Sequence, residues 1–230
     1  MQTPCVISSP HRIQSKQVRK AIYILLLYVF ALVSCDYTGY ETGSGEYSNL
    51  RADYADIKVT QGMVTGITTD DGTSLTPPSG LQYKENKDTI IRCLLYYNMQ
   101  DISQPIQVVG QKNVNVIIPL KWEGQEKAKN DPLTLTAAWM SANKRYINMQ
   151  VGLKNGSKDE EAMQTLVIRC DSVSTYKGGA IWLTLCHDQG GIPQYYTKDI
   201  LLSIPTKLLP DTIHLTTNTY SGQKTHLFTK

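Results

Sequence analysis

The sequence predicts an all-β protein: a small OB-like barrel followed by an Ig-like β-sandwich. Three observations carry that expectation. Apolar and polar residues alternate with a period of two in many short runs. Clusters of Gly, Pro, Asn and Asp separate those runs. Beyond residue 50, no stretch carries a persuasive helical period.

The elements follow in order. Ile57, Val59, Gln61 and Met63 alternate with polar residues, and Gly62 and Gly66 permit a bend or bulge. Asp70-Asp71-Gly72-Thr73 and Pro77-Pro78-Ser79-Gly80 are turn signals. Residues 89–97 form a strong strand, with Ile91, Cys93, Leu95 and Tyr97 on one face. Residues 106–109 and 114–118 follow as strands. A closed or partly closed barrel is the economical way to hide the edges of so few strands. The first domain is therefore drawn over 51–122. The charged, turn-rich stretch 123–132 reads as the boundary.

The second domain, 131–230, is strand-rich again. Leu133, Leu135, Ala137 and Trp139 alternate, turn at 141–144, and continue as Ile147, Met149, Val151 and Leu153. Residues 158–163 suit one helical turn. Residues 165–171 and 180–186 read as a hairpin turning near Lys177-Gly178-Gly179. Strands at 200–204, 212–216 and 225–228 complete a pattern that argues for a sandwich.

The amino terminus addresses the chain. Arg12, Lys16, Arg19 and Lys20 precede an unbroken apolar run over 21–33, and no acidic residue interrupts them. As a helix that run spans about 20 Å, short of the roughly 30 Å bilayer core. A basic region, a short apolar region and small residues at a cut site mark a secretory signal. Leu32-Val33-Ser34-Cys35 resembles the bacterial lipobox, whose cysteine is acylated and becomes the first mature residue. The expectation is a signal peptide over 1–34, cut between Ser34 and Cys35, with lipid on Cys35. Two or more acyl chains would anchor the protein stably, whereas one binds a membrane only marginally. Residues 35–50, rich in Gly, Ser and Tyr, read as a flexible tether.

Cleavage removes four bases and no acid, taking the formal charge from +3 to −1. No basic excess remains to favour nucleic acid. Cys93, Cys170 and Cys186 are left as thiols, an odd number with no CxxC spacing. Cys170 and Cys186 would face each other across a three-residue hairpin loop and form a disulfide. The preferred reading makes both small buried hydrophobes, because the register is not fixed by sequence.

At residues 132–149, Pro132-Leu133-Thr134-Leu135 leads through Trp139 to Arg145-Tyr146-Ile147-Asn148-Met149. This resembles the first sandwich hairpin of the NigD-like lipoproteins of Bacteroidetes. The order of lipobox, Tyr-rich linker, OB-type barrel and sandwich is similar to theirs as well. The resemblance implies fold and envelope location, and no established enzymatic activity. Surface-displayed lipoproteins of these bacteria carry an acidic run after the lipid cysteine. Only Asp36 is present here, which favours a periplasm-facing outer-membrane anchor.

No fingerprint of a hydrolase, metalloprotease, P-loop or dinucleotide site occurs. The pattern calls for no catalytic residue, no metal and no cofactor. His187-Asp188, Glu160-Glu161 and Asp70-Asp71 read as solvated loop or turn pairs. Tyr83, Tyr96 and Tyr97 are candidates for stacking on sugars. The expected function is a non-catalytic binding or structural role at the envelope. Its partners would be the membrane, through Cys35, and other envelope proteins or glycans. A carbohydrate-binding lipoprotein and an envelope hydrolase with a convergent carboxylate or His site are the alternatives.

Overall fold

The computed structural model describes residues 48–83, 87–99, 101, 103–121, 128–156, 163–176 and 178–230. The signal segment, Ser34, Cys35, nearly all of the tether and the expected helical turn at 158–163, apart from Met163, lie outside the described residues. Every described element is a strand.

The first module contains β1 (Leu50–Thr60), β2 (Met63–Thr69), β3 (Ser74–Leu75), β4 (Thr89–Asn98) and β5 (Gln107–Asn113). They form one sheet in the order β3-β2-β1-β4-β5. The expected strand through Gln61 and Met63 breaks at a turn. Gln61 (φ 50°) and Gly62 (φ 77°) are both left-handed, as a two-residue hairpin loop requires. Thr65 is an extra residue opposite the Lys58/Val59 step, so the expected bulge lies beside Gly66.

The predicted inner face of β4 is observed. Cys93, Leu95 and Tyr97 are buried with Ala55, Ile57, Val59 and Ile67, and Ile91 packs against them. Burial pushes the Cys93 thiol up to about 11. The two sheet edges approach at one parallel bridge, Thr76 to Pro105, where Ile106 N–H donates to the Thr76 carbonyl at 3.0 Å. No continuous ladder joins β3 to β5 among the described residues, so the sheet curls without closing into the expected barrel.

The second module is a sandwich of two sheets. Its strands are β6 (Asn115–Val116), β7 (Leu120–Lys121), β8 (Thr134–Met140), β9 (Tyr146–Asn155), β10 (Thr165–Ser174), β11 (Ala180–Asp188), β12 (Tyr196–Pro205), β13 (Thr212–Thr219) and β14 (Gly222–Thr229). One sheet runs β14-β13-β11-β10-β7 and the other β6-β12-β9-β8. Ile147, Met149, Val151 and Leu153 of β9 meet Ile168, Leu183, Leu185, Ile213 and Leu215 in one apolar core. Each such side chain contributes roughly 1.5–3 kcal/mol on burial.

Three expectations change here. β6 and β7 pair with β12 and β10, so the sandwich begins near Asn115 and not after 123–132. In β8, Thr136 is an extra residue between Leu135 and Ala137. One inserted residue reverses the alternation. Ala138 and Met140 therefore pack on the core, and Trp139 turns to the opposite face.

The third is the three-residue loop, and with it the disulfide weighed as the lesser reading. The β10–β11 hairpin turns through left-handed Gly178 and Gly179, as anticipated. Its five-residue loop and an extra residue at Asp171 shift the register by three. Cys170 lies opposite Leu183, and Cys186 opposite Val167. Three positions amount to about 10 Å along a strand, beyond the roughly 7 Å a disulfide can span. Odd separation also puts the two side chains on opposite faces. The two therefore do not bond to each other.

Tyr97 supplies a test of the first core. Its ring is buried and its hydroxyl donates to Asp53 Oδ2 at 2.8 Å. Burial, aided by that bond, pushes the hydroxyl up to about 12. The folded chain then keeps a proton that the unfolded chain releases near pH 10. This contribution to stability is complete below about pH 10 and is lost as pH rises through about 12. We expect urea midpoints to fall across that window, and Tyr97→Phe to flatten the fall while costing about 1 kcal/mol at neutral pH.

Candidate functional site

The strand that builds the first core also builds the junction between the modules. Alternation sends Cys93, Leu95 and Tyr97 inward and turns Arg92 the other way. A charged residue on an outer face belongs in water, yet Arg92 is only 5% exposed. It is covered because the first module rests on the outer face of the β6-β12-β9-β8 sheet. Asn148 of β9 and Ser203 of β12, a paired couple on that face, are both fully buried.

Every nitrogen of the Arg92 guanidinium donates. Nη1 reaches Asp56 Oδ1 at 3.3 Å, and Nη2 reaches Asp70 Oδ2 at 2.7 Å. Nη2 also reaches Asn148 Oδ1 at 3.0 Å, and Nε reaches Ser203 Oγ at 3.2 Å. The acceptors cross-link in turn. Asn148 Nδ2 donates to Asp70 Oδ2 at 2.6 Å, and Ser203 Oγ to Asn148 Oδ1 at 2.7 Å. Arg145 Nη2 lies 2.8 Å from Asp56 Oδ2. Two cations thus balance two carboxylates.

Aromatic rings enclose this pair. The Arg92 guanidinium carbon is 4.0 Å from the Tyr146 ring centroid and 5.4 Å from that of Tyr54. Cation–π contact of this kind strengthens once water is excluded. Trp139, re-aimed by the β8 bulge, meets Tyr54 edge-on at 5.4 Å. Burial pushes the Tyr54 hydroxyl up to about 12 and raises that of Tyr146. The turn at 70–73 closes the junction: Asn143 N–H donates to the Asp70 carbonyl at 2.8 Å, and Asn143 Nδ2 to the Thr69 carbonyl at 3.2 Å.

The residues singled out in the sequence fall elsewhere. Tyr97 is 2% exposed and fills the first core, which removes it as a stacking surface. Tyr96 is half-buried on the opposite face of β4, and Tyr83 packs half-buried beside Val64 and Leu81. The three do not share a surface. His187, the penultimate residue of β11, is fully buried, not solvated, with Nε2 3.0 Å from Gln164 Oε1. Asp188 is held below the usual carboxylate range by the Gly190 N–H and by Lys129. Glu160 and Glu161 lie outside the described residues. Asp71 stays at the surface, where the Thr69 hydroxyl lowers its carboxyl, but Asp70 belongs to the junction. Among the described residues no three His, Cys, Asp or Glu side chains gather.

Sequence reasoning missed Arg92, Asp56 and their partners. The available signal was an arginine inside the apolar run Ile90-Ile91-Arg92-Cys93-Leu94. Such a residue needs a buried partner, though one sequence does not say which.

Removing one member of a buried ion pair leaves the other uncompensated, at a cost of about 3–5 kcal/mol. Arg92→Met should lose stability in that range by urea denaturation. Adding Asp56→Asn and Asp70→Asn should recover more than half of the loss, because the stranded charges go with the arginine. Additive losses would show that the three side chains act independently.

A family model described as the NigD-like C-terminal β-sandwich domain matches residues 116–229, starting at β6 where strand pairing begins the sandwich. Among solved structures, a NigD-like immunity protein from Bacteroides caccae is 19% identical. That match has a TM-score of 0.59 and covers 77% of this chain and 90% of that one. A protein of unknown function from Bacteroides vulgatus is 17% identical, with a TM-score of 0.62 and coverage of 79% and 90%. A candidate lipoprotein from Bacteroides fragilis is 12% identical, with a TM-score of 0.54 and coverage of 78% and 96%. Each match spans more of this chain than the sandwich alone, so the likeness in fold includes both modules. No curated protein matches the sequence. Residues 116–229 therefore form a NigD-like C-terminal β-sandwich domain.

Proposed function

We propose that this chain is an envelope lipoprotein that presents a rigid, two-module β body for non-catalytic binding. The observation that carries the reading is the lipobox ending at Cys35, placed directly after the apolar run 21–33. The fold likeness to a candidate lipoprotein of Bacteroides fragilis supports the anchor. The Arg92 junction supports a rigid body, since it ties both modules through buried charge. A fold neighbour named as an immunity protein suits a binding role better than a catalytic one. The lone Asp36 after Cys35 favours the periplasmic face of the outer membrane.

Metabolic labelling with an alkyne-bearing palmitate tests the anchor. The native chain should take up label and sediment with membranes. Cys35→Ala should do neither, and label retained by Cys35→Ala would remove the lipid reading. Capture of the lipidated protein from its native envelope tests the binding role. A discrete co-purifying component is expected; turnover of a sugar or peptide library by the purified chain would overturn non-catalytic binding.

A carbohydrate-binding reading now rests on different residues. Trp182 is 38% exposed on the outer face of β11 and stacks on His214, with rings parallel within 1° and centroids 5.0 Å apart. Leu227, 61% exposed, is the next residue in the same row across the sheet. Glycan-array binding lost in Trp182→Ala would favour this reading, and a blank array would remove it.

A further inference from the structure

β12 is paired unequally on its two sides. It meets β9 along its whole length, from Tyr196 to Pro205. It meets β6 only at Leu202 and Ser203. The Ser203 carbonyl faces the β6 side, where it accepts the Ile117 N–H at 3.0 Å. Backbone groups of alternate residues point the same way along a strand. The amides and carbonyls of Thr197 and Asp199 therefore point out of the same sheet edge, and no ladder covers them among the described residues. In the facing sheet, β10 is joined to β7 only at Arg169 and Cys170.

A cavity of about 400 Å³ opens beside these partly covered edges. Leu153, Leu166, Ile200 and Leu202 give it an apolar floor, and Gln164 and Lys198 stand at its rim. Lys198 shares the face of Ile200 and Leu202, so its ammonium is carried on the side that faces between the sheets. Lys198 is exposed and joins no ion pair among the described residues. An unpaired strand edge recognises extended backbone, and a side pocket recognises alternate side chains. A cation beside an apolar pocket adds a demand for negative charge next to an apolar group.

We propose that the open edge of β12 and its adjoining cavity dock the carboxy-terminal end of an extended polypeptide. Backbone rungs form to Thr197 and Asp199. The last, apolar side chain enters the cavity, and the terminal carboxylate pairs with Lys198. This inference rests on the binding role above and names its contact. An inward-facing lysine on an edge strand can also serve only to repel other strands, and the experiment separates the two roles.

The probes are the hexapeptide acetyl-STVTSL with a free carboxylate and the same peptide as a carboxamide, titrated into the full-length chain in detergent. The free acid should bind about tenfold more tightly than the amide, the worth of one charge-assisted hydrogen bond. Lys198→Met, at an exposed position, should erase that ratio. Amide hydrogen exchange should slow at Thr197 and Asp199 on binding. Equal affinity for acid and amide, no binding of the acid at 1 mM, or protection confined to other strands would each overturn the proposal. Such a failure alongside intact palmitate labelling and envelope capture removes this site and leaves the lipoprotein reading standing.

Discussion

Arg92 donates to two carboxylates, an amide and a hydroxyl drawn from both modules, and the arrangement of the rest follows from satisfying it. A guanidinium taken out of water costs several kcal/mol unless its donors are matched. Matching it here requires Asp56 and Asp70 from the first module and Asn148 and Ser203 from the sandwich. Neither module alone offers the full set. The ion pair is therefore less a source of stability than a condition on geometry. The two sheets must meet in this register, or a charge is stranded.

Three irregularities serve that condition. The β8 bulge at Thr136 turns Trp139 toward Tyr54, which closes one side of the guanidinium. The turn at 70–73 holds Asp70 while Asn143 caps its backbone from the sandwich. β6 leaves the first module at once and joins the edge of β12, the strand that carries Ser203. The connection between modules is thus a strand and not a linker. The part of the β12 edge that no ladder covers among the described residues lies on the second of those modules.

Much of this architecture was legible from alternation. The buried faces of β4 and β9 are those that Ile91 to Tyr97 and Ile147 to Leu153 announce. Alternation fails where one residue is inserted. Thr136 and Asp171 each shift a register by an amount no local pattern signals; the first misplaces Trp139, and the second, together with the five-residue hairpin loop, separates Cys170 from Cys186. The site was less legible still. Tyr96 and Tyr97 look alike in sequence, but adjacent positions face opposite ways, and one of them is core. Asp70 and Asp71 look alike in a turn, but only the structure shows that the sandwich covers the first. Contacts between residues far apart in the chain, such as Arg92 with Ser203, leave no mark on local spacing.

If the buried charge makes the two modules one cooperative unit, they cannot open separately. Native-state amide hydrogen exchange reads this directly, because each amide reports the free energy of the opening that exposes it. Amides in the centres of β4 and β9 should exchange through one shared opening, with equal free energies and equal dependence on denaturant. A distinctly lower free energy for β4, with a smaller denaturant dependence, would mean that the first module unfolds on its own and that Arg92 does not bind the modules together.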